Sequence, residues 1–369
     1  MGLLWLAATG IPVSLLWDFS WESTVGIDLV WAAAHVATYF AVALAGVTAL
    51  GLVFATTSLG AVRAGGVRLA RWHAPLGVWI TVWGAVAFAA AVLFDRWWQS
   101  AYGLSAGIWH PPQIFKAVAF FAIVAGVWLF CLHRQNRSAD ENNPGGAVAF
   151  AGAGGFLLAL ITVVTLTSCY PNRQHSASFY KLACGTYPIV LVALATAGKF
   201  RWSATVASLS YSGVICAMVW MLPLFPAKPQ VAPIYNPLDH MMPPPFPLLL
   251  IVPALGLDAL LRIFPWPEHR GRSWIRAGAA GLVFFTLFIG AQWIFAEILL
   301  MDVADNWFFA GGGRHWPFFL KIDPLARQSF WETRQDEFNF TSALAAAGLA
   351  VVAAGVGLWL GEWMKRLRR

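Results

Sequence analysis

Apolar runs of a length that matches a lipid bilayer recur from one end of this 369-residue chain to the other. A hydrocarbon layer about 30 Å thick takes roughly 17 to 25 helical residues to cross, and within it every backbone N–H and C=O has to be satisfied inside the element itself. Spanning helices are therefore the expected element. Ten can be placed, at about 2–17, 29–59, 74–94, 113–134, 146–167, 178–198, 202–223, 245–264, 274–301 and 340–364. Only 11% of the residues are charged and 59% are hydrophobic, whereas a soluble domain carries about 25% charged residues. The expected fold is an all-α polytopic membrane helix bundle, a single integral domain over 1–369. The first run is short, contains Pro12 and has no basic residue before it, which suits an uncleaved helix better than a signal peptide.

Charge sets the sidedness. With ten spans, alternate connections fall on opposite sides, and fifteen of the 24 Lys and Arg gather on one of them, among them Arg63, Arg68, Arg71, Arg134, Arg137 and the terminal Lys365 to Arg369 cluster. By the positive-inside rule that side, with both termini, is cytoplasmic. The expected location is a bacterial inner membrane. The net charge of +7 thus has a topological cause and is not a nucleic-acid footprint. Cytoplasmic connections are short and carry no Gly-rich phosphate cradle, so no nucleotide cofactor is expected. The polar connections, including the long loop at 302–339, fall together on the extracytoplasmic side. Trp17, Trp21, Trp31, Trp97, Trp98, Trp109, Trp307, Trp316 and Trp331 lie where helices leave the membrane, as an interfacial belt would.

Two segments on that outer side repeat one pattern, at 18–35 and 95–113. Asp18, Trp21, Glu22, Gly26, Trp31 and His35 are matched by Asp95, Trp98, Gln99, Gly103, Trp109 and Gln113, with one residue inserted. Asp18 and Glu22, four apart, share a helix face, and a turn at Gly26 could return His35 toward them. Two carboxylates and an imidazole form a hard set suited to Fe(II), Mn(II) or Zn(II) more than to Cu(I). Asp28 is a fourth candidate ligand, or a partner that fixes the His35 tautomer. The second copy keeps Asp95, but Gln99 and Gln113 are amides, which ligate transition metals poorly. His110 stands nearby, its reach limited by Pro111 and Pro112. The first copy is the candidate for chemistry and the second for architecture.

In their spacing the two segments resemble the pattern Asp-x3-His-x12-His, with Trp directly before the first His, of the metal-binding segment of the membrane C subunit of the particulate methane and ammonia monooxygenases, and similar segments in other bacterial multi-pass proteins. Asp18, Trp21, Asp28 and His35 stand at family positions, as do Asp95 and Trp98. Glu22 and Gln99 replace the family's first His, and Gln113 falls near its second. The resemblance covers about 18 residues twice. It implies a copper site facing a membrane-embedded cavity, oxidation of a small lipophilic substrate, and further membrane or periplasmic subunits as partners beside lipid.

Other positions carry less. Tyr235 to Pro247 combines Asp239, His240, Met241 and Met242, but adjacent residues do not share a face, and the proline run suits a stiff lead-in to the next helix. Glu297, near the outer end of the ninth span, is an intramembrane acid and so a candidate proton relay or further ligand to the same cavity, with Lys116 as its counter-charge. Asp258 and Arg262 suit an ion pair one turn apart. Arg314 and His315, after a Gly triplet, and the polar stretch Glu332 to Glu337 read as exposed loop. His73 and His133 lie opposite His35, so no haem is expected. Cys131, Cys169, Cys184 and Cys216 show no C-x-x-C spacing, and only Cys169 and Cys184 lie close to one side. Two readings stay open: a metal-dependent oxidation, or a non-catalytic scaffold or small-molecule or proton-coupled permease in which the motif has decayed.

Overall fold

The computed structural model describes residues 1–26, 30–58, 66–103, 109–137, 145–167, 173–228, 230, 240–263, 273–304, 306–309 and 336–367. Asp28, Cys169, Asp239, Arg314, His315, Trp316, Trp331 and Glu332 lie outside them. Among the described residues, ten α-helices form an all-α bundle: α1 (Gly2–Thr24), α2 (Ala33–Ser58), α3 (Leu76–Tyr102), α4 (Pro111–Arg137), α5 (Gly145–Ile161), α6 (Ala177–Ala197), α7 (Ser203–Met221), α8 (Ile251–Ile263), α9 (Ser273–Leu299) and α10 (Phe340–Arg366). Among the described residues, nine of these are long and apolar enough to cross a membrane, α8 being the exception. The chain is a multi-pass membrane-type helical protein. The strands seen are a short antiparallel hairpin, β1 (Val67–Leu69) and β2 (Trp72–Ala74), between α2 and α3.

Several helices run past their hydrophobic stretches. The first was expected to stop at Trp17 but continues to Thr24, because nothing in Asp18 to Thr24 breaks a helix and the first helix-incompatible backbone comes at Gly26, at φ 79°. α3 likewise reaches Tyr102 and stops at Gly103, at φ 88°. A residue of positive φ just past the last turn is the usual helix terminator, and glycine enters that region without a side-chain penalty. Gly26 and Gly103, the paired glycines of the repeat, are the described glycines with positive φ.

The eighth expected span, 245–264, differs most. Residues 241–250 form no helix or strand, and only 251–263 are helical. Pro243, Pro244, Pro245 and Pro247 explain this, since proline donates no helical hydrogen bond and restricts the residue before it. Non-helical backbone inside a bundle has to be satisfied by neighbours. Ser20 donates to the Met242 carbonyl and the Met242 N–H donates to Thr24 Oγ1. Farther along, the Leu248 N–H donates to the Tyr211 hydroxyl, the Leu249 N–H to Gln292 Oε1, and Ser208 Oγ to the Leu250 carbonyl. α8 then ends beside the start of α7, where Asp258 accepts the Ala204 and Thr205 N–H groups and the Thr205 hydroxyl, and Arg262 donates to the Gly198 carbonyl. Asp258 is thus chiefly the N-terminal cap of α7.

The core lies around α5 and α6, the most buried of the spans. α5 passes into a π-helical turn at Thr162–Thr167, where the Thr162 and Tyr187 hydroxyls meet at 2.7 Å. Helices approach closely at small residues: a Cβ on Gly126 would meet Thr81 and the Gly77 carbonyl, and one on Gly281 would meet the Val351 backbone. Small residues let helix backbones pack at van der Waals distance where lipid supplies no hydrophobic drive. Cys131, Cys184 and Cys216 are free thiols.

Candidate functional site

The two copies of the repeat build the same object, a helical hairpin with an acid near the end of its first helix and a base near the start of its second. In α1–α2, Asp18 Oδ1 and His35 Nε2 are 3.2 Å apart, with both side chains about one-fifth exposed. In α3–α4, Asp95 Oδ2 receives Lys116 Nζ at 2.6 Å and Gln99 Nε2 at 3.2 Å. Lys116 therefore neutralises Asp95 and not Glu297. The expectation that Lys116 balances Glu297 is corrected by geometry: Lys116 and Asp95 face each other across one hairpin, as Asp18 and His35 do.

The hairpins differ in what the base can do. Lys116 carries an ammonium, with donors only, and it holds a buried carboxylate. His35 can be neutral or charged, and its neutral form can ligate metal. Asp18 Oδ1 is buried and accepts no hydrogen bond among the described residues, although it lies within ion-pair distance of His35. Its contact with the imidazole thus lacks hydrogen-bond direction. Glu22 follows Asp18 by one turn and is exposed. Beyond the pair, aromatic rings continue inward: Tyr39 lies 6.3 Å from His35 and 6.2 Å from Phe88, and Phe88 lies 5.0 Å from Phe120. This row joins the first hairpin to the second.

The remaining candidates have these neighbours. Ser20 and Thr24, which hold the 240s segment, stand about 200° around α1 from Asp18 and Glu22 at 100° per residue, so Met242 binds the opposite face of that helix. His240 is half-buried and forms a bridge with Pro226. His110 closes the turn that starts α4, its carbonyl accepting the Gln113 N–H, and Gln113 stands in the first turn of that helix. Among the described residues no three His, Cys, Asp or Glu side chains form a metal-binding group.

Glu297 has a partner of its own. It pairs with His175, Nε2 to Oε1 3.2 Å, a histidine whose side chain is fully buried while Glu297 is about one-third exposed. Trp293 packs edge-on against the His175 ring at 4.6 Å, and Gln292 donates to Gln174 Oε1 at 2.7 Å. Local spacing gave no sign of this cluster, because its members lie more than a hundred residues apart. The available signal was one of composition: Gln292 and Glu297 are the polar residues of the otherwise apolar second half of α9. At the same end, Asp336 accepts the Ser178 N–H and hydroxyl, which fixes the start of α6 to the approach to α10. The exposed Trp31, Trp97, Trp109 and Trp307 fit an interfacial belt.

Compared with family models, curated proteins and solved structures, the chain matches none.

Proposed function

We propose that Asp18 and His35 hold a divalent metal ion in the α1–α2 hairpin, and that the protein is a relative in architecture of the copper membrane monooxygenase C subunit, acting on a small lipophilic molecule. The observation that carries this is the buried Asp18 oxygen, 3.2 Å from the imidazole nitrogen and without a hydrogen bond among the described residues. Metal–nitrogen bonds of about 2.0–2.1 Å and metal–oxygen bonds of about 2.0–2.2 Å hold two ligand atoms roughly 2.9–3.4 Å apart, for angles from square to tetrahedral. The observed separation falls inside that bite. Glu22 stands on the same face for a third ligand, and the set favours Fe(II), Mn(II) or Zn(II) over Cu(I). Such an ion would supply Lewis-acid or redox chemistry beside the apolar wall of Tyr39, Phe88 and Phe120. Electron delivery falls to partner subunits.

Elemental analysis of protein purified without chelators tests this. One metal per chain is expected, lost in His35→Ala and Asp18→Asn and kept in Lys116→Met. A metal-free wild type, or variants with wild-type content, would sink the reading.

A second reading, a proton-coupled small-molecule permease or non-catalytic scaffold, is favoured by the ammonium that replaces imidazole in the second hairpin and by the buried His175–Glu297 pair. Reconstituted into proteoliposomes, a permease acidifies or alkalinises the lumen when its substrate is added. A scaffold moves nothing.

A further inference from the structure

The non-helical segment 241–250 is held by side chains of α1, α7 and α9, and one of these, Gln292, is itself held from outside them. Its Oε1 accepts the Leu249 N–H at 2.9 Å while its Nε2 donates to Gln174 at 2.7 Å. Gln174 is the neighbour of His175, so a two-bond tether runs from the broken span to an imidazole. That imidazole has no solvent-exposed surface, but the Glu297 carboxylate beside it does. A proton can therefore reach His175 Nε2 by way of Glu297. A charged ring at such a site is tolerable only while the carboxylate next to it is ionised.

We propose that His175 and Glu297 form a proton-binding site open to the end of the molecule where α9 terminates, and that its occupancy sets the position of the 241–250 segment through Gln174 and Gln292. One proton is taken up from bulk and later returned, and no other bond is made or broken. With the proton bound, imidazolium and carboxylate draw together and the 173–176 segment is fixed. With it gone, the pair loses its charge attraction. Gln174 can then move only if Gln292 or the Leu249 N–H gives up a partner, so the two sites shift as one. Other ionisable groups near the ring are Tyr180 on α6, whose buried hydroxyl accepts and donates nothing among the described residues, Arg173 and Lys181 on either side in sequence, and Asp336 and Glu337 before α10. Asp336 is committed to Ser178, and Glu337 bridges Ser176 through its backbone. Glu297 pairs with the imidazole at 3.2 Å. The proposal is independent of the Asp18–His35 metal, which lies in a different hairpin.

Fluorine NMR of 5-fluorotryptophan-labelled protein in nanodiscs reads the site directly, because Trp293 touches His175. The Trp293 signal, assigned by its loss in Trp293→Phe, is expected to titrate in one step between pH about 5 and about 8, where imidazoles change charge. It should stay fixed in His175→Gln and titrate at lower pH in Glu297→Gln, which removes the stabilising charge while keeping volume. For the coupling, Leu248→Cys is placed in a background with the four native cysteines replaced, and its maleimide rate is taken relative to the same probe with His175→Gln. That ratio should change several-fold across the same pH window, and Gln292→Leu should abolish the change. A Trp293 signal that does not titrate, or that titrates alike in wild type and Glu297→Gln, overturns the site. A normal titration with a constant labelling ratio overturns the coupling.

Discussion

Three acid–base pairs near one end of the bundle show how a single exchanged side chain redirects the same geometry. Asp95 is buried and its charge is tolerable because Lys116 and Gln99 reach it. Removing one partner of a buried pair leaves an uncompensated charge, whereas removing both is close to neutral. Lys116→Ala should therefore lower stability by about 3 kcal/mol, while Asp95→Asn with Lys116→Gln should stay within roughly 1 kcal/mol of wild type. Thermal unfolding in detergent, followed by loss of the monodisperse peak, checks both. The Asp18–His35 pair should behave differently. Its partly exposed members hold each other without hydrogen-bond geometry, so His35→Ala should cost under about 1 kcal/mol in metal-free protein. A large loss there would mark the pair as structural and count against a ligand role.

At the scale of elements, bilayer thickness made most of the fold legible. Nine apolar runs became helices long enough to span, several running past the expected ends, because burial of the backbone leaves no other choice. The 245–264 run misled because hydropathy credits proline and phenylalanine for their side chains and is blind to the missing N–H groups of Pro243 to Pro247. The Asp18–His35 pair was legible because both residues belong to one hairpin, where sequence spacing and spatial approach coincide. His175–Glu297 was not, since α6 and α9 meet through packing that no local pattern encodes. Close helix approach was likewise invisible in composition, and it carries its own prediction. Gly126 faces the backbone of α3, so Gly126→Leu should destabilise by about 1–3 kcal/mol or more through overpacking. Gly51, on α2, meets nothing within 4 Å, and Gly51→Leu should leave the melting temperature unchanged or slightly raised. Equal melting of the two variants would refute the packing argument for α3–α4.

For the whole molecule, side-chain bonds sort the helix ends into two groups. At one end Asn136 donates to the Met364 and Leu367 carbonyls, Gln135 joins Ala197 and Lys199, Arg276 approaches Glu362, and Asp258 caps α7. At the other lie Asp18–His35, Asp95–Lys116, His175–Glu297 and the contact of Met241 with Phe225. The first end carries the arginines and lysines of the helix termini, as the positive-inside rule asks of a cytoplasmic face. Met241 belongs to one group and Asp258 to the other, so 241–263 crosses the bundle once although only half of it is helical. Alkaline phosphatase, active only outside the cytoplasm, reports this when inserted at single sites. Insertions after Gly103 and Ala227 should be active, and those after Ser58, Ile263 and Leu367 inactive. If 241–263 instead turned back within the membrane, the Ile263 insertion would match Ala227, and Leu367 would lie across the membrane from Ser58. Agreement of Ser58, Ile263 and Leu367 therefore establishes ten crossings and places both acid–imidazole pairs on the outer side, where a metal ion or a proton would have to arrive.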